Sequence, residues 1–401
     1  MCNNRHMFKQ VSEEFVPLYI SNVRYMIFTL KRGGIAMDKR YWLIGGVSGA
    51  VLALAGTRMV WNTAVKAQTP KRIPVERKPD MPYQDIEFVS DGLNIQGWFI
   101  PAMTTEKKEH SADNQSSQDQ AVPVTTAELA PLMIIAHGWG SNRSRVLRYI
   151  EPLWQAGYAI LMYDARSHGH SDPIEAPSAY TFRDDILAAM DYAIRIPEID
   201  PERIGVLGHS MGGLGTILSL PYGLPVRAVI TDSMPAQFES VLEAEFKRRG
   251  LPLFPMANII PRIWFYRSHI SLKEYQQKNT VFSINEARKE ADLPILMIHS
   301  RGDAFIPPTE LEFVMGQVTP PIETLFVNTN GHSSSQKDPH FWAKVLPFLD
   351  EHVKHAEPRV KAITPPLAIT KNVTQKVNIR RWKSPITWLK SVNEKASTTD
   401  K

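Results

Sequence analysis

Cysteine is almost absent from the sequence, since Cys2 is the only one. A single cysteine excludes an intramolecular disulfide and a metal site built from several thiolates. Its place at the second residue also makes it a poor candidate for a reactive thiol. The sequence therefore predicts a nucleophile of another residue type, and we expect neither a metal site nor a cofactor.

A strong charge bias is also absent outside the ends of the chain. The formal net charge is +5, but ten basic residues lie in the tail over residues 356–401, against three acidic residues. No helix-turn-helix, zinc-finger or RNA-binding motif accompanies this charge, so we expect no nucleic-acid partner. With 43% hydrophobic and 22% charged residues, the composition is typical of a globular protein.

One long apolar run lies near the beginning of the sequence. Residues 41–61 carry no charge before Arg58, and this length predicts a transmembrane anchor. A cleaved signal peptide is the alternative, because small residues precede Gly56. We expect a single-pass protein of the cell membrane, with a slight preference for an outward-facing main domain. Residues 1–36 are expected to be a non-native upstream extension, with the natural start at Met37.

Composition divides the rest of the chain. Residues 62–82 are basic and interrupted by prolines, which favours a linker before a main domain over residues 83–355. Inside that domain, residues 103–126 are polar and predict a disordered loop. The basic tail also contains aromatic residues, which suits either an interfacial helix on anionic lipid or a solvated tail.

Short runs of Val, Ile and Leu alternate with helical segments through the main domain. Such alternation predicts a parallel sheet that is covered by helices on both faces. A pair of strands around the turn Asp91-Gly92 precedes it. The buried strands are predicted over residues 132–137, 159–164, 204–208, 226–231, 295–299 and 324–327.

The pentapeptide Gly208-His209-Ser210-Met211-Gly212 has the pattern G-x-S-x-G between a predicted strand and a predicted helix. In that context the pattern predicts a tight turn that exposes the serine hydroxyl. The amino end of the following helix favours the negative charge that develops on an attacked carbonyl oxygen. Ser210 is therefore the candidate nucleophile.

A second glycine-containing turn, His137-Gly138-Trp139-Gly140, follows an earlier predicted strand. Its backbone can approach the same site, so the N–H groups of Trp139 and Met211 are the candidates for an oxyanion hole. For His137 we favour a structural hydrogen-bonding role.

A nucleophilic serine needs a base and a carboxylate that orients the base. Asp303 follows a predicted strand, and His332 follows the last one, which gives the chain order serine, acid, histidine. Asp232, which also follows a strand, and His340 are the weaker alternatives.

Five segments together resemble the α/β-hydrolase superfamily, in particular its bacterial membrane-anchored serine hydrolases of the S33 peptidase-like and esterase branch. They are AHGWGSNRS from residue 136, YDARSHGHSD from residue 163, GHSMG from residue 208, HSRGDAFIP from residue 299 and NGH from residue 330. The resemblance covers most of the main domain. The sequence departs from the family pattern at Ser167, where relatives often have glycine.

The resemblance implies an α/β-hydrolase fold, with a mostly parallel eight-stranded sheet, helices on both faces and a cap insertion. It also implies that Ser210, Asp303 and His332 form a catalytic triad. The cap is expected over residues 234–292, which are rich in bulky apolar side chains.

Two cap residues, Trp264 and Phe265, are the candidates for binding substrate, although packing of the cap explains them equally well. The favoured function is hydrolysis of small hydrophobic esters or thioesters through an acyl-enzyme. A serine peptidase or amidase with the same triad is the first alternative, and a non-catalytic scaffold is the second.

Overall fold

The structure, a computed structural model, describes residues 39–103, 129–250, 252, 256–277, 279–290 and 292–356. The side chains at positions 39–53, 238, 272, 276, 277 and 290 are not described. The expected upstream extension, nearly all of the expected disordered loop and the basic tail from residue 357 lie outside the described residues.

Eight strands form one sheet in the order β1-β2-β4-β3-β5-β6-β7-β8. The pairs β1·β2 and β2·β4 are antiparallel, and every other neighbouring pair is parallel. The prediction of a mostly parallel eight-stranded sheet is therefore confirmed. The strands are β1 (Gln84–Ser90), β2 (Leu93–Ile100), β3 (Ala130–Ala136), β4 (Ala159–Tyr163), β5 (Ile199–His209), β6 (Ala228–Asp232), β7 (Ile295–Gly302) and β8 (Glu323–Asn330).

Helices cover both faces of the sheet and form the cap. They are α1 (Lys39–Gln68), α2 (Ile150–Gln155), α3 (Ala179–Ala193), α4 (Met211–Ser219), α5 (Phe238–Arg249), α6 (Met256–Arg267), α7 (Leu272–Gln277), α8 (Thr280–Glu290), α9 (Thr309–Met315) and α10 (Pro339–Leu349). Short 3₁₀ turns lie at Arg143–Tyr149, Leu220–Tyr222 and Ser335–Lys337, and a π-helical turn lies at Asp350–Lys354.

The central strands contain continuous apolar runs because both of their faces are buried along those runs. Successive side chains of a strand point to opposite faces, and the core accordingly divides into two clusters. Ile134 and Val206 belong to the cluster that contains Phe182 of α3. Ile135 and Leu207 belong to the cluster on the other face, which α2 and α10 cover. The sheet is therefore a rigid platform for whatever lies at its carboxyl edge.

The cap consists of α5 to α8 and replaces a simple connection between β6 and β7. Leu242, Phe246 and Ile260 form its small apolar core. The carboxylate of Glu310, at the start of α9, is buried and accepts the backbone N–H groups of Ala236 and Gln237 at 2.8 Å each. The base of the cap is thereby fixed to the main domain.

The segment before β1 differs from the predicted linker. Helix α1 does not end near residue 61 but continues to Gln68. No proline stops it before Pro70, and its last turns are packed against the cap. The boundary between two structural units falls between Asn62 and Thr63, so the last turns of α1 belong to the larger unit. Ala64, Ala67 and Gln68 are buried there. Among the residues that the structure describes in full, no helix combines the length and apolarity that crossing a membrane requires.

Candidate active site

Ser210 occupies the sharp turn between β5 and α4. Its backbone has φ 52° and ψ −120°, in the left-handed φ region that is costly for a residue other than glycine. The turn is held because the N–H of Ser210 donates to the carbonyl of Asp232 at 2.9 Å, and the carbonyl of Ser210 accepts from Leu214 at 3.1 Å. The serine is therefore presented in one fixed position at the carboxyl edge of the sheet.

The glycines of the pentapeptide make this turn sterically feasible. A Cβ atom on Gly208 would lie 2.5 Å from the Cα atom of Gly213, and one on Gly212 would lie 2.4 Å from the carbonyl oxygen of Ala136. Both distances fall on backbone atoms, which cannot move aside easily. The spacing G-x-S-x-G thus follows from close packing of helix α4 against the end of the sheet.

The structure brings the three predicted triad residues together. His332 Nε2 lies 2.8 Å from Ser210 Oγ, and His332 Nδ1 lies 2.7 Å from Asp303 Oδ2. Asp303 follows β7 and His332 follows β8, and because the strands are parallel these loops meet at the same edge. Asp303 and His332 lie 93 and 122 positions after Ser210 in the chain. The order of the strands in the sheet explains why they nevertheless meet beside it.

The environment of Asp303 favours its charged form. Burial raises the pKa of this carboxyl group, but the hydrogen bond and charge of His332 and the N–H donors of Phe305 and Ile306 outweigh burial and lower it. Those N–H groups lie 2.9 and 3.0 Å from Asp303 Oδ1. An ionised Asp303 keeps the proton on His332 Nδ1, which leaves Nε2 free to accept the serine proton.

The two alternative residues have other partners. The Asp232 carboxylate is buried, accepts a short hydrogen bond from Tyr149 and lies 3.4 Å from His209 Nδ1. His340 lies at the start of α10, where its Nδ1 is 2.8 Å from Asp338 Oδ1 and its side chain is 76% exposed. Neither side chain takes part in the side-chain contacts that join Ser210, His332 and Asp303.

The candidate oxyanion-hole residues line the same cavity as Ser210. Met211 is the first residue of α4, and the first N–H groups of a helix have no intrahelical acceptor. The turn that carries Trp139 is close to the nucleophile, since a Cβ atom on Gly138 would lie 3.0 Å from Ser210 Cβ. Both N–H groups are therefore placed near the position that an attacked carbonyl would take.

His137 has a structural role, as expected. Its Nε2 accepts the N–H of Ala165 at 2.9 Å, and its Nδ1 lies 2.8 Å from the carbonyl oxygen of Gly138. Burial lowers its pKa to about 4, so the ring is neutral at pH 7. The ring thereby joins the Trp139 turn to the loop after β4.

A second buried network beside the triad was not anticipated from the sequence. His209 lies between Asp232 and Ser333, whose Oγ is 3.2 Å from His209 Nε2. The rings of His209 and His332 have centroids 4.9 Å apart. The positions of His209, within the serine motif, and Asp232, just after a strand, carried a signal for this network. Tyr149 gave none, because its hydroxyl reaches the site from a distant turn.

A cavity of about 150 Å³ opens beside Ser210. Both predicted substrate-binding residues, Trp264 and Phe265, line it, as do two residues of α1 that sequence reasoning missed, Ala67 and Gln68. Their spacing with Ala64 matches one helical face and is the signal that could have revealed them. Most of the remaining lining is apolar and includes Met211, Leu214, Leu218, Pro235, Ala236, Val241, Ile270, Phe305 and Ile306.

Within the described part of the chain, no group of three or more His, Cys, Asp or Glu side chains is placed to hold a metal ion. The polar side chains that line the cavity are those of Gln68, Ser178, Tyr180, Ser210, Glu245, Ser268, Tyr275, Asn279 and Thr280.

Comparison with known proteins identifies the family. A family model described as the alpha/beta hydrolase family matches residues 133–357, which is more than half of the chain. The chain belongs to the alpha/beta hydrolase family. The match includes Ser210, Asp303 and His332, so all three residues of the hydrogen-bonded chain lie within the family region.

Relatives of this alpha/beta hydrolase are distant in sequence. The uncharacterized protein YfhR of Escherichia coli (strain K12) is 23% identical over 260 residues, which cover 64% of this chain and 76% of YfhR. The uncharacterized protein YqkD of Bacillus subtilis (strain 168) is 27% identical over 227 residues, covering 54% and 70% of the two chains. Among solved structures, the Pyrococcus furiosus esterase Pf2001 matches with a TM-score of 0.52 at 22% identity, over 71% of this chain and 97% of the esterase. At that identity the likeness supports the fold.

Proposed function

We propose that this protein is a serine hydrolase that cleaves carboxylic esters or thioesters of hydrophobic acyl groups. The observation that carries the proposal is the hydrogen-bonded chain Ser210–His332–Asp303, with distances of 2.8 and 2.7 Å, at the wall of an apolar cavity. A serine hydroxyl becomes a good nucleophile when a correctly placed histidine accepts its proton.

The first half of the proposed reaction forms an acyl-enzyme. Ser210 Oγ attacks the carbonyl carbon while its proton passes to His332 Nε2, and Asp303 stabilises the resulting imidazolium. The N–H groups of Met211 and Trp139 stabilise the negative oxygen of the tetrahedral intermediate. When the intermediate collapses, the bond to the alcohol or thiol breaks, and His332 returns the proton to that leaving group.

The second half releases the acid and restores the serine. Water gives a proton to His332 Nε2 and attacks the acyl-enzyme carbonyl, which forms a second tetrahedral intermediate. Its collapse breaks the bond to Ser210 Oγ, and the proton on His332 returns to the serine. The net reaction consumes one ester or thioester and one water.

The cavity favours a hydrophobic acyl group over an aminoacyl group. An α-amino group is stabilised by a carboxylate partner, and among the described residues the carboxylate that lines the cavity is Glu245. Arg248 already donates to Glu245 at 2.8 and 2.7 Å, and Arg249 donates to it as well. Since this charge is neutralised within the cap, a substrate ammonium group would gain little from it.

Two other readings receive less support. A peptidase or amidase would use the same triad, and the neutralised Glu245 is the observation that speaks against an aminoacyl preference. A non-catalytic scaffold would not require the strained backbone of Ser210, which positions a reactive hydroxyl at a local energetic cost.

Attachment to the cell membrane is part of the same proposal. The apolar run over residues 41–61 supports a single-pass anchor, and the basic, aromatic tail supports a second contact with anionic lipid. We further propose that the catalytic domain faces outward.

The test of the proposed function compares two acyl groups on the same p-nitroaniline leaving group, and then an ester with an amide of the same acyl group. The purified protein should cleave hexanoyl p-nitroanilide faster than leucine p-nitroanilide, and p-nitrophenyl hexanoate faster than both. Ser210→Ala should abolish all three activities. Faster cleavage of the leucine amide would contradict the proposal and favour a peptidase, whereas no cleavage of any substrate would favour the scaffold.

A further inference from the structure

Residues 63–74 comprise the end of helix α1 and the segment that follows it, and they run from the cap to the main domain. We call them the strap. Its helical part contributes three buried residues, Ala64, Ala67 and Gln68. Ala64 packs with Leu242, Phe246 and Ile260 of the cap. The strap comes from outside the family-matched region, yet it is built into the cap.

Cap side chains complete the end of α1. The last carbonyl groups of a helix lack intrahelical donors. Here the Arg249 guanidinium donates to the carbonyls of Lys66 and Ala67 in that last turn, at 3.4 Å each. Trp264 Nε1 adds a hydrogen bond of 2.8 Å to the carbonyl of Ala64, just before the last turn. A cationic group at a helix C-terminus also interacts favourably with the helix dipole. The end of the strap helix is therefore held by both α5 and α6.

The buried amide of Gln68 fixes the orientation of the strap. Its Nε2 donates to Ser268 Oγ at 2.7 Å and to the carbonyl of Trp264 at 3.3 Å. Its Oε1 accepts from Arg267 at 2.6 Å. Both ends of the amide are thus satisfied, and rotation or withdrawal of the side chain would leave buried polar atoms unpaired.

Beyond the helix, the strap is fixed to the main domain. Asn142 Nδ2 donates to the carbonyls of Ile73 and Pro74 at 3.0 Å each. Arg72 donates to the carbonyl of Gly169 at 3.0 Å and also to that of Ser171. With contacts at both ends, the strap is a fixed wall.

This wall faces the cavity beside the nucleophile. Ala67 and Gln68 line the same cavity as Ser210, Trp264 and Phe265. Ala67 is 3% exposed and lines the cavity, so little of its surface reaches the solvent. Because packed interiors have little spare volume, added bulk at position 67 must take its space from the cavity.

We infer that the strap sets the length of acyl chain that the enzyme accepts, with Ala67 as the specificity-determining residue. The inference rests on the proposed function, since it assigns the cavity to the acyl group. The small alanine leaves room for an unbranched acyl chain of medium length, and a larger residue excludes the terminal methylenes of that chain.

The experiment is a graded series in the full chain: Ala67→Val, Ala67→Leu and Ala67→Phe. The matched control is Lys66→Phe, which adds an aromatic ring on the exposed side of the same turn. For each variant, kcat/KM is measured on p-nitrophenyl esters from acetate to decanoate. Circular dichroism and the rate of labelling by a small fluorophosphonate check folding and the triad.

The acyl length at which kcat/KM stops rising should shorten in the order Val, Leu, Phe. Each excluded methylene should lower kcat/KM on the longer esters by up to about fourfold. In the Ala67 series, activity on acetate should fall less than activity on the longer esters, whereas the Lys66→Phe control should keep the wild-type length profile and labelling rate. The valine and leucine variants decide the result if Ala67→Phe does not fold.

An unchanged length limit in the folded variants, or an equal shift in Lys66→Phe, would overturn the inference alone. A wild-type protein that is labelled but shows no length dependence would also overturn it. A wild-type protein that hydrolyses no ester would overturn the proposed function, and the inference with it.

Discussion

The cavity beside Ser210 predicts how activity depends on acyl length. The cavity has a volume of about 150 Å³. An apolar cavity of about this volume can hold benzene, which has six carbon atoms. We therefore expect kcat/KM to rise with acyl length and to level off near six carbons. The experiment changes only the acyl chain of the ester substrate, and the protein is the same throughout.

The magnitude follows from the free energy of burying methylene groups. Each buried CH₂ contributes about 0.8 kcal/mol, which corresponds to about fourfold in kcat/KM. Acetate and hexanoate differ by four methylenes, so full burial gives a ratio of up to roughly 200-fold. Beyond the end of the cavity, further carbons stay in water and add little.

The assay follows p-nitrophenol release from acetate, butyrate, hexanoate, octanoate and decanoate esters, each below its micelle concentration and corrected for uncatalysed hydrolysis. Phe265→Ala, which removes a ring from the cavity wall, should lower the gain per methylene. A flat or falling profile in the wild-type enzyme would refute the assignment of the cavity to the acyl group.

Three further predictions concern the acid, the response to pH and the membrane. Asp303→Asn should lower kcat by about 10⁴-fold in ester turnover assays, whereas Asp232→Asn, which changes a residue outside the triad, should have the smaller effect; the reverse order would show that the acid is misassigned. Burial lowers the pKa values of His137 and His209 to about 4 and that of His168 to about 3. Below pH 6.5 these histidines bind protons in the unfolded chain but stay neutral in the folded chain. The free energy of unfolding should therefore fall by up to about 1.4 kcal/mol per pH unit for each histidine between pH 6.5 and 4, as measured by denaturant titration. Constant stability across that range would contradict the buried neutral rings. The full chain should sediment with membranes and resist carbonate extraction, and recovery in the soluble fraction would exclude the anchor.

Local patterns predicted the sheet, and they also indicated which side chains meet beside Ser210. The strand and turn signals around Ser210 place it at a carboxyl edge, and the chain order of Asp303 and His332 brings them to the same edge in a parallel sheet. Steric limits at Gly208 and Gly212 are local, so they leave a mark in the sequence. These features depend on neighbours in sequence or on the chain order of the strands, both of which the sequence contains.

Contacts between distant segments were harder to predict. The strap residue Gln68 bonds to residues about 200 positions away, and nothing near position 68 indicates those partners. Prolines and basic residues suggested a linker there, but tertiary packing extends the helix. Tyr149 likewise reaches Asp232 across 83 positions. Such contacts depend on how the cap and loops fold over the sheet, which composition does not specify.

The central claim is that Ser210 is an activated nucleophile, and covalent labelling tests it most directly. A fluorophosphonate reacts with a serine hydroxyl whose proton is removed by a neighbouring base. Intact mass and peptide mapping of the treated protein should show one adduct, on the peptide that contains Ser210, and Ser210→Ala should show none. An adduct that persists in Ser210→Ala, or a folded wild-type protein that stays unlabelled, would contradict the account.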